Sequence, residues 1–133
     1  MKGIITGLML MLMFTAVPAY AAGRTETLSV QIHNEKRAVK SKLSIRFLEL
    51  VEDSRCPTDT NCVWAGNGKI KVSVKRGNGA ARVFEMDTNG PNKTISHAGY
   101  KITLSDLTPH PRSNIRINRN GYVAKLAIVK AGR

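Results

Sequence analysis

Apolar and polar residues alternate one for one along most of this chain. Leu28, Val30 and Ile32 alternate with Ser29, Gln31 and His33, and Leu43, Ile45 and Phe47 with Lys42, Ser44 and Arg46. Ile70, Val72 and Val74 alternate with Lys69, Lys71, Ser73 and Lys75. Tyr100, Ile102 and Leu104 form another run, and Tyr122, Ala124, Leu126 and Ile128 the last. A period of two puts successive side chains on opposite faces of a strand, so each run buries one face and wets the other. Antiparallel sheets have that character. No long segment carries the i, i+3, i+4, i+7 stripe of an amphipathic helix.

The breaks between the runs carry turn chemistry. Asn34-Glu35-Lys36-Arg37 is polar and reads as a turn. Arg76-Gly77-Asn78-Gly79 suits a tight hairpin, with Ala81 to Met86 as its return strand. Phe47 and Leu48 are adjacent, as are Leu50 and Val51, so the register slips and a β-bulge is expected near Leu48. Asp87 to Ala98 reads as the longest irregular segment, a mobile surface loop. Ser105 to Leu107 suggests a short helical turn stopped by Pro109 and Pro111. The expectation is an all-β domain: an antiparallel β-sandwich or small barrel of about six to seven strands, with one internal disulfide.

Residues 1–21 read as an address. Lys2 precedes an uncharged run from Gly3 to Ala16 rich in Ile, Leu, Met and Phe, and Ala19-Tyr20-Ala21 has the small-x-small pattern of a cleavage site. The run is shorter than the roughly 20 residues that span a bilayer. A removed signal peptide followed by a single domain over 22–133 is therefore expected. No transmembrane span remains after processing, and the product is soluble in the periplasm or secreted. Thiols oxidise outside the cytosol, so Cys56 and Cys62 should pair within a seven-residue ring. In the chain-entropy account such a ring contributes roughly 2 kcal/mol. The C-x5-C spacing is not the C-x-x-C of a redox-active pair.

Charge narrows the partners. Against 21 Lys and Arg stand 9 Asp and Glu, a formal net charge of +12. The cations are spread over outward strand positions, Lys69, Lys71 and Lys75 on one strand and Lys40, Lys42 and Arg46 on another, with Arg112, Arg116 and Arg119 further on. The basic face expected from Lys42, Arg46, Lys69, Lys71 and Lys75 would attract anions. Export disfavours nucleic acid as a physiological partner, and no aromatics interleave with the charges to stack bases. An anionic envelope polymer or lipid head group suits this face. The bland alternative is that edge lysines only prevent sheet-to-sheet association.

The segment Glu52 to Gly66 is the most distinctive. An extended Cys62 to Gly66 would put Cys62, Trp64 and Gly66 on one side, with the only Trp covering the disulfide. Asp59 and Asn61 tolerate the positive φ that a small ring demands. Asp53 is placed to cap a turn and pair with Arg55. The structural alternative is a stapled corner with a packed Trp. The functional one is a pre-ordered binding loop built from Asp53, Arg55, Asp59 and Trp64.

Leu48-Glu49-Leu50-Val51-Glu52-Asp53-Ser54-Arg55-Cys56-Pro57, followed by Cys62-Val63-Trp64-Ala65-Gly66, resembles a family of small bacterial exported proteins and lipoproteins. Gly99-Tyr100-Lys101-Ile102-Thr103-Leu104-Ser105-Asp106-Leu107-Thr108-Pro109-His110-Pro111 is similar to that family's second motif. The similar stretches are 47–72 and 99–111. The resemblance implies bacterial origin, export and a shared β fold. The family has no assigned activity, so no catalytic residue is carried over. This chain departs from the pattern in lacking a lipid-bearing cysteine, and in Asp59 and Thr60 where a Gly and an apolar residue are usual.

Catalysis and metal binding find little support. His33, His97 and His110 are far apart in sequence, and two disulfide-committed cysteines are not ligands. Asp53, Asp59 and Asn61 lack the spacing of a calcium loop. Glu52-Asp53 is the only adjacent acid pair, and strand neighbours point to opposite faces. There is no Gly-x-Ser-x-Gly nucleophile motif. No cofactor, metal or catalytic residue is expected. The expected function is a non-catalytic binding module for anionic envelope material. Alternatives are a protein-interaction or inhibitor-type module that uses the Cys56–Cys62 loop on an envelope protein, and a small enzyme of unknown class.

Overall fold

Each alternating run becomes a strand in the computed structural model, which describes residues 24–132. The chain forms β1 (Glu26–Gln31), β2 (Glu35–Arg37), β3 (Leu43–Asp53), β4 (Gly68–Arg76), β5 (Arg82–Asp87), β6 (Thr94–His97), β7 (Tyr100–Thr108) and β8 (Val123–Lys130). The signal-peptide expectation for residues 1–21 lies outside the described residues. All pairings are antiparallel, in one four-stranded sheet of order β1-β8-β7-β6 and another of order β2-β3-β4-β5. The two sheets pack as a β-sandwich.

The buried faces carry the residues that the alternation picked out. Leu43, Ile45 and Phe47 of β3, with Ile70, Val72 and Val74 of β4, meet Ile102, Leu104 and Leu107 of β7 and Ala124, Leu126 and Ile128 of β8 in one cluster. Burying each large apolar side chain contributes about 1.5–3 kcal/mol. The expected slip in β3 is present, as register shifts between Phe47 and Glu49 and between Leu50 and Glu52.

Four local expectations are corrected. Eight strands form among the described residues, because Glu35–Arg37 is a short strand rather than a turn, and because Thr94–His97 pairs with β7 inside the segment expected to be irregular. That segment is also tied at its start: Asp87 is buried and accepts from Asn67 Nδ2 at 2.9 Å and from the Asn92 amide at 3.2 Å. Ser105 to Leu107 is strand, not helix. A register shift between Leu104 and Asp106 inserts one residue, so both leucines stay buried although three positions apart. Cys62 to Gly66 is not extended. The chain bends at Val63 and Trp64, and the next strand begins only at Gly68.

Candidate functional site: the stapled end of the sandwich

Between β3 and β4 the chain leaves the sheet and returns over a disulfide-tied loop. Cys56 and Cys62 are bonded, with Cα atoms 5.9 Å apart. Below the bridge two strands of loop are held together. The Ser54 amide donates to the Asn67 carbonyl at 2.8 Å, the Asn67 amide to Ser54 Oγ at 3.1 Å, and the Cys56 amide to the Ala65 carbonyl at 3.2 Å. Gly66 has φ of 69°, and a Cβ there would lie 1.9 Å from the Ser54 carbonyl oxygen, so only glycine fits. A second loop, between β7 and β8, buttresses the first. The Thr58 amide donates to the Pro111 carbonyl at 3.0 Å, and Asp59 accepts from the Ser113 amide and from Ser113 Oγ at 2.6 Å. The Ser113 hydrogen bonds hold the Asp59 carboxyl below its ordinary range. None of the ring residues takes positive φ, so the tolerance expected of Asp59 and Asn61 is not used.

Asp53 and Arg55 pair as their spacing suggested. Arg55 Nε donates to Asp53 Oδ1 at 2.8 Å and Nη2 to Oδ2 at 3.0 Å, a bidentate pair with side chains only 10% and 11% exposed. The guanidinium also donates to the carbonyls of Leu107 and Pro109, and so fastens this loop to the end of β7. Tyr122 Oη donates to Asp53 Oδ2 at 2.8 Å. Burial works to raise the Asp53 carboxyl, but these hydrogen bonds and the adjacent Arg55 charge hold it below its ordinary value. Burial, together with the Asp53 contact, pushes the Tyr122 hydroxyl up to about 12. Both members of the pair are turned inward and fully engaged, which makes them a clamp for the loop.

Trp64 is not packed over the disulfide. It is 81% exposed, and its neighbour Val63 is 90% exposed. The bend at these two residues turns both side chains outward, where the extended geometry expected from sequence would have buried one. Of the four loop candidates, Asp53, Arg55 and Asp59 therefore build the platform and Trp64 stands on it.

The candidate basic residues share one sheet but not a common charge environment. Lys69 and Lys71 face Glu52 and Glu49 across β3, and Lys71 Nζ lies 3.0 Å from Glu49, which raises its pKa. Arg46 faces Glu35, and Lys75 faces Ser44. Lys42 lies in the turn before β3 with φ of 59°. Glu35 opposite Arg46, Glu52 opposite Lys69, and Glu49 and Glu85 on either side of Lys71 interleave acids with these cations.

Also unforeseen is a groove of about 370 Å³ beside the stapled loop, with Leu50, Val51, Glu52 and Asp53 on the strand side and Pro111, Ile115, Ile117, Arg119 and Tyr122 opposite. A further hollow of about 260 Å³ continues it through Leu50 and Arg119 to Ile32 and His33. Ile115 and Ile117 on either side of Arg116 were the available signal. Asp53 borders the larger groove, but its oxygens are taken by Arg55 and Tyr122 and no histidine lines that groove, so it offers no acid–base pair there. No group of three or more His, Cys, Asp or Glu side chains suited to hold a metal occurs among the described residues.

No family model, no curated protein and no solved structure matches the chain.

Proposed function

We propose that this chain is an exported, non-catalytic binding module that docks on an envelope protein through its stapled end, with Val63 and Trp64 entering an apolar cleft of the partner. The exposure of Trp64 on a fixed platform carries the reading. A tryptophan supplies a large apolar area at low entropic cost and is over-represented among the residues that dominate binding energy. The disulfide, the Ser54–Asn67 bonds and the Asp53–Arg55 clamp order the loop before any partner arrives, which reduces the entropy lost on binding. Export is supported by the signal-like 1–21 segment and by a cysteine pair that forms a bridge.

The double variant Val63→Ser/Trp64→Ser tests this. It leaves the clamp and bridge in place, so the fold should survive while partner capture from envelope extract is lost. Capture that persists in a folded double variant would refute the docking role.

A second reading rests on the cations. Among the described residues only three ion pairs form, one of them through His110, so most Lys and Arg side chains have no acidic partner. Anionic envelope polymer or lipid head groups would then be drawn to Lys42, Lys75 and neighbouring cations. Binding to lipopolysaccharide that falls steeply with salt supports it, and no binding at low salt excludes it.

A further inference from the structure

Charge is segregated along the long axis of the sandwich. The end opposite the staple gathers the β2–β3 turn, the β4–β5 hairpin, the β6–β7 turn and the start of β1. The Gly77 amide donates to the Lys42 carbonyl at 3.0 Å, and the Ala131 amide to the Gly99 carbonyl at 2.8 Å, which ties these tips in pairs. Lys40 and Lys42 stand in the first turn, and Arg37 and Lys75 flank Ser44 in the nearby row of the sheet. Arg76 ends β4, Arg82 begins β5 and Lys130 ends β8 at this same end. Among the described residues the acid found there is Glu26, and it is occupied: its carboxylate accepts from the Lys40 and Ser41 amides at 3.0 and 3.1 Å. Glu35 lies further down, opposite Arg46, and Glu49, Glu52, Asp53, Glu85, Asp87 and Asp106 sit in the half toward the staple.

Two of these cations are held in place. The Arg76 guanidinium lies over the Tyr100 ring, 5.5 Å from its centre, and that of Arg82 over Phe84 at 5.2 Å. His97 faces Tyr100 across β6 and β7, and its ring meets Phe84 edge-on at 5.7 Å. Arg76, Tyr100, His97, Phe84 and Arg82 thus form one band that joins the two sheets at this end. Neither arginine makes an ion pair among the described residues, so each keeps N–H donors for a ligand.

Resting on the cation-based reading above, we infer that this end lies on a surface of anionic lipid head groups, whose phosphates accept from Arg76 and Arg82 while Lys40, Lys42 and Lys130 sit among the neighbouring charges. A phosphate offers several acceptor oxygens to the planar fork of an arginine, and a fork already held against a ring loses less freedom on binding. The cations come from separate turns spread over the whole end, so they match a two-dimensional array of charge rather than one linear chain. Val39, 82% exposed between Arg37 and Lys40, adds an apolar tip suited to the interfacial layer. The stapled end then points away from the surface, with Trp64 free to meet a partner.

The test uses the disulfide-intact exported form, beginning at Ala22, with vesicles of phosphatidylcholine alone or containing about one-third phosphatidylglycerol. The expected result is sedimentation with the anionic vesicles only, weakened by salt. Arg76→Gln/Arg82→Gln and Lys40→Gln/Lys130→Gln should each weaken binding by about tenfold or more. The lysine pair leaves both ring contacts intact and so reads the surface even where the arginine pair disturbs the fold. Arg112→Gln/Arg116→Gln removes the same charge near the staple, beyond a Debye length of roughly 10 Å, and should change binding less than about twofold. Acrylamide should quench Trp64 equally with and without vesicles. Equal losses from the two ends, or a Trp64 protected on vesicles, would overturn the assignment while leaving anion binding in force. Binding to heparin but not to vesicles, or full displacement by inorganic phosphate at matched ionic strength, would overturn the lipid surface as the ligand. Binding to neither heparin nor vesicles at low salt would overturn it together with the cation-based reading.

Discussion

Tyr122 Oη lies 2.8 Å from Asp53 Oδ2, joining the end of β3 to the start of β8 across 69 residues of chain. With Arg55 on the same carboxylate, this contact holds the stapled loop to both sheets. Removing either partner strands a desolvated polar group. Asp53→Asn should lower stability by about 2–4 kcal/mol, and Tyr122→Phe by about 1–2 kcal/mol. Urea unfolding of each variant against the parent measures both.

The same contact sets a pH dependence. The folded Asp53 carboxyl lies below its ordinary value, so its contribution is complete above the usual carboxylate range, near pH 4, and is lost as pH falls through the lower folded value. Tyr122 works at the other limit. Its hydroxyl is raised from 10.0 to about 12, so the unfolded chain ionises first and stability falls as pH rises across that window. The loss is below about 2–3 kcal/mol, because solvent screens part of the contact. Urea midpoints measured from pH 9 to pH 12 should decline less for Tyr122→Phe than for the parent over that interval.

Gly66→Ala should be among the most damaging small substitutions. Its φ of 69° is unfavourable for alanine, and the added Cβ would stand 1.9 Å from the Ser54 carbonyl oxygen. Backbone must move to admit it, at more than about 2 kcal/mol. Gly99→Ala is the control, since its φ of 82° is also positive but nothing lies within 4 Å of a Cβ there. Thermal unfolding should place Gly66→Ala well below Gly99→Ala.

Breaking the bridge should loosen the loop without unfolding the sandwich. The paired change Cys56→Ala/Cys62→Ala removes roughly 2 kcal/mol from a core that is built elsewhere. Far-UV circular dichroism should be unchanged, while amide exchange rises between residues 56 and 66.

The strands were legible where a buried face repeats. β3, β4, β7 and β8 each place three or more buried apolar residues on one side, and alternation found all of these but Leu107. β2 is Glu35-Lys36-Arg37, entirely exposed, and β6 buries only Ile95, so neither carries a periodic signal. In β7 one inserted residue gave Leu104 and Leu107 a helical spacing. Within the site, the disulfide and the Asp53–Arg55 pair followed from residue type and short separation. The Trp64 orientation did not, because a bend at Val63–Trp64 replaces the strand geometry from which it was extrapolated. The groove was hidden for another reason: it depends on where β2 stops and on a loop some 60 residues away in sequence from β3.

Trp64 is the only tryptophan, so its fluorescence reports the stapled end without labelling. The most direct test of docking is acrylamide quenching of that emission, free and with captured partner bound through a tryptophan-free segment. The account predicts a red-shifted, freely quenched tryptophan in the isolated protein that turns blue-shifted and protected in the complex. A Trp64 already protected in the isolated protein, or one equally quenched in the complex, would contradict it.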